Sequence, residues 1–227
     1  AVGKAVMKAM KKANPKAVWV IQAWQANPRP DMIKNLETGD LLILDLTSEC
    51  RPQWGDPKSE WYRKDGYGKH NWVYCMLLNY GANVGLHGKM DNVIDNYYLA
   101  KENLRACATL KGVGMTPEGI ENNPVMYELL MELPWRPERF TKEDWLKGYV
   151  KARYGKDEPA LQLAWGKLAN SIYNAPKELT QQGTHESVFC ARPGLDVYQV
   201  SSWSEMKDYY DPQEVIEAAR LRGSVAD

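Results

Sequence analysis

Leu110-Lys-Gly-Val-Gly-Met-Thr-Pro-Glu118-Gly-Ile-Glu-Asn-Asn-Pro124 is the stretch on which the fold turns. Its first residues read as a short buried strand, the rest as a tight polar turn. Gly112 and Gly114 let other groups approach the backbone closely. Pro117 fixes one φ angle, and Gly119 frees the backbone beyond it. Glu118 then stands on a stiff turn just past the carboxyl end of a strand, which in a (β/α) barrel is where catalytic groups sit. Thr116-Pro-Glu118 also spells a helix start, with Thr116 as N-cap and Glu118 facing the dipole. Gly119 and Asn122-Asn-Pro124 would break such a helix at once, and a better start lies at Asn123-Pro124. Glu118 is therefore read as a loop residue between strand and helix.

Working outward, the chain before this stretch alternates. Residues 1–13 predict an amphipathic helix, with Val2, Val6, Met10 and Ala13 on one face and lysines largely outside it. Val18–Trp24 follows as a continuous apolar strand of the kind buried in parallel sheets. Met32, Ile33 and Leu36 mark a short helix closed by Gly39, and Leu41–Leu46 is the next strand. Thr47 to Asn71 is long and irregular, and a loop of that length in a compact domain is usually functional or mobile. Trp72–Asn79 is a third strand, a helix is expected from about His87 to Ala100, and the strand before Glu118 is the fourth. Such alternation argues for a parallel α/β arrangement. Four strands do not close a barrel, which needs eight. The sheet is therefore either open or the second half of a barrel whose first half lies elsewhere.

From Pro124 onward the pattern is helical. One helix runs to about Leu133. Thr141-Lys-Glu-Asp144 is a capping box opening a second through Tyr154, stopped by Gly155. Asp157 to Asn174 reads as a third, and Asp211 caps a fourth. The boundary falls near 122–136, giving 1–122 as the half barrel and 123–227 as an incomplete all-α domain.

Composition narrows the function. The 227 residues are 44% hydrophobic, enough for a sizeable core. Lys+Arg and Asp+Glu are 29 each, so no charge excess points to nucleic acid. The apolar runs are too short to span a bilayer, and no signal peptide is visible at Ala1. Cys50, Cys75, Cys107 and Cys190 lie far apart, and His70, His87 and His185 do not join them at zinc-ligand spacing, so no metal or other cofactor is expected. Nine Trp and thirteen Tyr accompany two Phe. Aromatics with a polar handle suit sugar rings, though a large core would also use them.

A carboxylate on a rigid turn ringed by aromatic strand ends suits glycoside hydrolysis. That reaction needs two carboxyl groups, about 5–5.5 Å apart when one is the nucleophile. Glu118 is one candidate. Asp45 and Glu49, ending another strand, are candidates for the second on spacing alone, against the commoner role of structural carboxylates bonded to loop amides or Arg51. Trp24 and Trp72 are candidate sugar platforms, although a lone Trp is more often core. No G-x-S-x-G, P-loop or G-x-G-x-x-G stands at a strand–helix junction.

The block from Gly112 through Glu118 to Leu129 resembles the signature of glycoside hydrolase family 89, the α-N-acetylglucosaminidases. Trp19–Trp24, Leu42–Glu49 and Cys75–Asn83 match further blocks in the same order, and Ala152–Gly155 and Ser171–Asn174 carry the match into the helical part. The resemblance implies the second half of a (β/α)8 barrel followed by the start of an all-helical C-terminal domain. It implies removal of terminal α-linked N-acetylglucosamine from glycans with retention of configuration, with Glu118 as nucleophile. Trp24 and Tyr74 match aromatic positions of the family's sugar pocket, and Asn79 is expected to line it. The acid/base glutamate would lie upstream of Ala1, in the missing N-terminal half of the same protein, and Glu49 becomes a supporting residue. A secreted, periplasmic or lysosomal setting is implied as well. A non-catalytic sugar-binding module or a purely structural half barrel is the competing reading.

Overall fold

The computed structural model describes residues 2–54, 57–58, 61–64, 66–78, 86–118, 123–179, 189, 195 and 209–225. Two compact units are present, one of 1–77 with 95–116, the other of 78–94 with 117–227.

The first unit is built on a four-stranded, wholly parallel sheet in the order β1-β2-β3-β4: Trp19–Ala23, Leu41–Asp45, Asn71–Met76 and Leu110–Met115. Helix α1 (Val2–Ala13) and the short α2 (Pro30–Ile33) precede β2, and α3 (Met90–Glu102) and α4 (Leu104–Thr109) precede β4. Gly3 of α1 comes so close to the Met32 carbonyl that a Cβ there would collide with it. Helix α4 has no apolar period, and the sequence did not predict it. Asn103 starts it by accepting from the Arg105 and Ala106 amides at 3.1 and 3.0 Å.

Side-chain parity divides the sheet. Leu41, Ile43, Asp45, Trp72, Tyr74 and Met76 are all buried. The face carrying Trp72 and Tyr74 meets the helices, since Trp72 bonds to α4 and Tyr74 meets Tyr97 of α3 edge-on. The other face is less covered: Leu42, Leu44 and Val73 are half-buried and Val20 is 54% exposed, while Cys75 is buried. This corrects the expectation of a fully buried first strand. Among the described residues β1 pairs only with β2 and, as an edge strand, is covered on one face.

The end of β4 is pinned by Thr116. Its amide donates to the Met76 carbonyl at 3.1 Å, and its hydroxyl reaches the carbonyls of Met76 and Leu46 at 3.2 and 3.4 Å. Thr116 thus ties three strand ends together instead of capping a helix. Helix α5 (Pro124–Glu132) begins only after Asn123.

The described residues of the second unit include the helices α5, α6 (Lys142–Tyr154), α7 (Pro159–Ala169) and α8 (Pro212–Gly223). Its capping follows the expected chemistry. Thr141 accepts from the Asp144 amide, Gly155 ends α6 at φ 71°, and Asp211 accepts from the Gln213 amide. Its core is a run of aromatics: Trp145 stacks on Tyr149 at 4.9 Å, Tyr149 meets Trp165 edge-on at 5.0 Å, and Trp165 stacks on Tyr173 at 6.3 Å. Much of the Trp and Tyr content is therefore core. Buried Lys142 donates to Asp91 at 2.7 Å, and Asn174 donates to the same carboxyl oxygen at 2.8 Å. No helix among the described residues is long and apolar enough to cross a membrane.

Candidate active site

Parallel strands bring their carboxyl ends to one edge of the sheet, and the candidate residues follow those strand ends in the chain. Trp24 follows β1 directly and is half-buried. Its ring lies 5.4 Å from that of Trp61, tilted by 54°, and the Arg51 guanidinium sits 4.9 Å from the Trp61 ring centroid. Among the described residues, two that are not glycine adopt left-handed backbone just past strand ends: Gln25 after β1 at φ 52°, and Leu78 after β3 at φ 57°. Such strain survives only where neighbours fix it.

Asp45 ends β2 and is fully enclosed. Burial pushes its carboxyl up to about 7, against the lowering pull of the Tyr67 hydroxyl and the Gln53 amide. Those groups lie beside the carboxyl without completing well-aligned hydrogen bonds to it. Glu49 is also buried, and its Oε1 accepts from the Leu77 amide at 3.3 Å. Asn96 of α3 donates to the Ser48 and Glu49 carbonyls, each at 3.0 Å, which fastens the segment carrying Glu49. Both carboxylates are thus built into the wall.

Glu118 lies three residues beyond β4 and is exposed. It is on neither strand nor helix, as read from its sequence. Trp72 departs from expectation. It is 1% exposed, packs on Trp54 and Tyr67 at ring distances of 5.6 and 5.7 Å, and donates to the Ala106 carbonyl at 2.8 Å. It is a core side chain on the helix-covered face, not a sugar platform. Tyr74 shares that face and is wholly buried, its ring edge-on to Tyr97 at 5.7 Å. In this structure it backs the sheet and offers no surface to a ligand. Asn79 lies outside the described residues. No group of three or more His, Cys, Asp or Glu among the described residues could hold a metal ion.

Sequence reasoning passed over Trp61, Gln53 and Arg63, which lie in the long segment between β2 and β3. The length of that segment was the available signal. Of its described aromatic residues Trp54, Trp61 and Tyr67 are buried and Tyr62 is 38% exposed, so those three side chains are part of the packed core.

Comparison with known proteins places these features in a family. The model of the alpha-N-acetylglucosaminidase (NAGLU) tim-barrel domain matches residues 1–137, and that of the NAGLU C-terminal domain matches residues 145–227. Human alpha-N-acetylglucosaminidase is 32% identical over 227 aligned residues, covering 96% of this chain and 28% of that protein. The family 89 glycoside hydrolase from Clostridium perfringens, solved with 2-acetamido-1,2-dideoxynojirmycin, superposes with a TM-score of 0.78 at 29% identity, over 98% of this chain and 24% of that one. A doubly substituted variant from the same organism, in complex with its substrate GlcNAc-alpha-1,4-galactose, matches with a TM-score of 0.78 at 28% identity, over the same 98% and 24%. The chain thus spans about a quarter of the length of these relatives. The four parallel strands form part of a barrel, and the helices of the second unit part of the domain that follows it.

Proposed function

The chain belongs to the alpha-N-acetylglucosaminidase family, and from that premise we propose that it supplies the nucleophile of a retaining exo-α-N-acetylglucosaminidase acting on glycans with terminal α-linked N-acetylglucosamine. Glu118 is the nucleophile and Trp24 a wall of the sugar site. The observation that carries this reading is the position of Glu118: exposed, off any helix, and just beyond the carboxyl end of a strand in a parallel sheet. That edge is where barrel enzymes carry their chemistry.

The mechanism is a double displacement. A Glu118 oxygen attacks the anomeric carbon, forming a glycosyl ester as the glycosidic bond breaks. A second carboxyl group, from the remainder of a longer protein, protonates the leaving oxygen and then takes a proton from the water that cleaves the ester. Asp45 and Glu49 are both buried within the first unit, so neither is assigned that role. Turnover of exported or endocytosed glycans fits a secreted, periplasmic or lysosomal setting.

The test is Glu118→Gln in the longer protein that carries this chain, assayed on an aryl α-N-acetylglucosaminide. kcat is expected to fall roughly a thousandfold or more, with N-acetylglucosamine binding retained. Proton NMR of the first product formed by the unaltered enzyme should show the α anomer. Near-normal turnover by the variant, or an initial β product, rejects the assignment.

A further inference from the structure

The turn that follows β1 is held from outside by two side chains of the segment between β2 and β3. Gln53, fully buried, donates its amide Nε2 to the Gln25 carbonyl at 3.1 Å. Arg63 donates Nη2 to the neighbouring Ala26 carbonyl at 3.1 Å, and Nε to Gln53 Oε1 at 2.6 Å. The Arg63 amide also bonds to the Gln53 carbonyl at 2.7 Å. One guanidinium fork thus fixes both the turn and the orientation of the amide that holds its other peptide. Within the turn, the Asn27 amide donates to the Trp24 carbonyl at 3.0 Å while Gln25 keeps φ at 52°. A glutamine in left-handed backbone costs energy that these charge-assisted bonds offset. The same segment supplies Trp61, against which the Trp24 ring leans.

We propose that Arg63 and Gln53 are positioning residues for Trp24, fixing the turn after β1 so that the indole keeps one orientation at the carboxyl edge of the sheet. This deepens the functional reading above and rests on it only where sugar binding is measured. Only a planar fork can meet Gln53 and Ala26 together; a lysine ammonium on a flexible stem cannot hold both in that geometry.

The experiment uses the longer protein labelled with 5-fluorotryptophan, with the Trp24 resonance assigned from Trp24→Phe. Arg63→Met and Arg63→Lys are both expected to shift or broaden the fluorine resonance of Trp24 and to leave that of Trp145 in place. By calorimetry, Arg63→Met should weaken N-acetylglucosamine binding about tenfold, the scale of one misplaced aromatic contact. In a Trp24→Phe background the same change should weaken binding less than about twofold, because coupled residues are not additive. Should the methionine variant not fold, the lysine variant decides by the same readouts. An unmoved Trp24 resonance, or an equal loss in both backgrounds, overturns the proposal. A resonance that moves in a protein whose unaltered form binds no N-acetylglucosamine leaves the positioning role standing and removes the proposed activity.

Discussion

The indole N–H of Trp72 donates to the carbonyl of Ala106 at 2.8 Å, joining the start of β3 to helix α4. That carbonyl also accepts from the Leu110 amide at the end of α4. Removing the indole would therefore weaken the connection without orphaning the acceptor. Trp72→Phe is expected to lower stability by about 2 kcal/mol, from a lost hydrogen bond and a small void beside Trp54 and Tyr67. KM for an aryl α-N-acetylglucosaminide should stay within about twofold, since a core residue acts through folding. Chemical denaturation and steady-state kinetics on one preparation check both. A large rise in KM at unchanged stability would restore Trp72 to the sugar site.

Asp45 predicts an unusual pH dependence. Its carboxyl ionises near 3.8 when ordinary and is pushed up to about 7 by burial. Tyr67, Tyr74, Cys75 and Arg63 are the titratable groups that interact with it. Between about pH 4 and 7 the folded chain binds this proton and the unfolded chain has lost it. Stability therefore falls as pH rises through that window, and the full loss is present above about 7. A difference of about three pH units corresponds to about 4 kcal/mol. Asp45→Asn cannot ionise, so its stability should change much less between pH 5 and 8. Urea midpoints at the two pH values measure this, and equal drops in variant and parent would contradict it.

What the sequence disclosed was mostly local. The caps at Thr141, Gly155 and Asp211 were readable because capping is settled within about four residues. The position of Glu118 off any helix is legible because a glycine at 119 and a proline at 124 disfavour a helix running through them. The apolar period predicts a third helix of the second unit longer than the one that forms. It stops at Ala169, but Ile172 and Tyr173 remain buried, so the apolar period outlasts the helical backbone. Helix α4 was missed because its six residues show no period. The apolar run of β1 points to full burial, yet coverage depends on its neighbours in the sheet, which that run does not name. Trp72 and Tyr74 share one parity, and the sequence shows that parity. It does not show which face the helices cover, and here that face is theirs. Gln53 and Arg63 find the turn after β1 across 28 and 37 positions, beyond any local pattern.

Asp40 should respond to pH in the opposite sense. Lys11 of α1 donates to its carboxyl, which also accepts from the Glu37 amide at 2.9 Å. The Lys11 contact is the main reason the carboxyl lies below its ordinary value, with the Glu37 amide and the more distant His70 adding to it. A carboxyl held low in the folded chain contributes stability above the ordinary carboxylate range. That contribution is lost as pH falls through the folded value. Lys11 is 44% exposed, so solvent screens the pair and its worth is about 0.5–1 kcal/mol. Lys11→Ala is therefore expected to lower the urea midpoint slightly at pH 7. The difference from the parent should shrink at acid pH, as the lowered Asp40 carboxyl takes up its proton in both proteins. Added salt at pH 7 should shrink it too, as screening does for an exposed ammonium. A loss of the same size at both pH values would mean that the Lys11 stem stabilises α1 by packing, with no contribution from its charge.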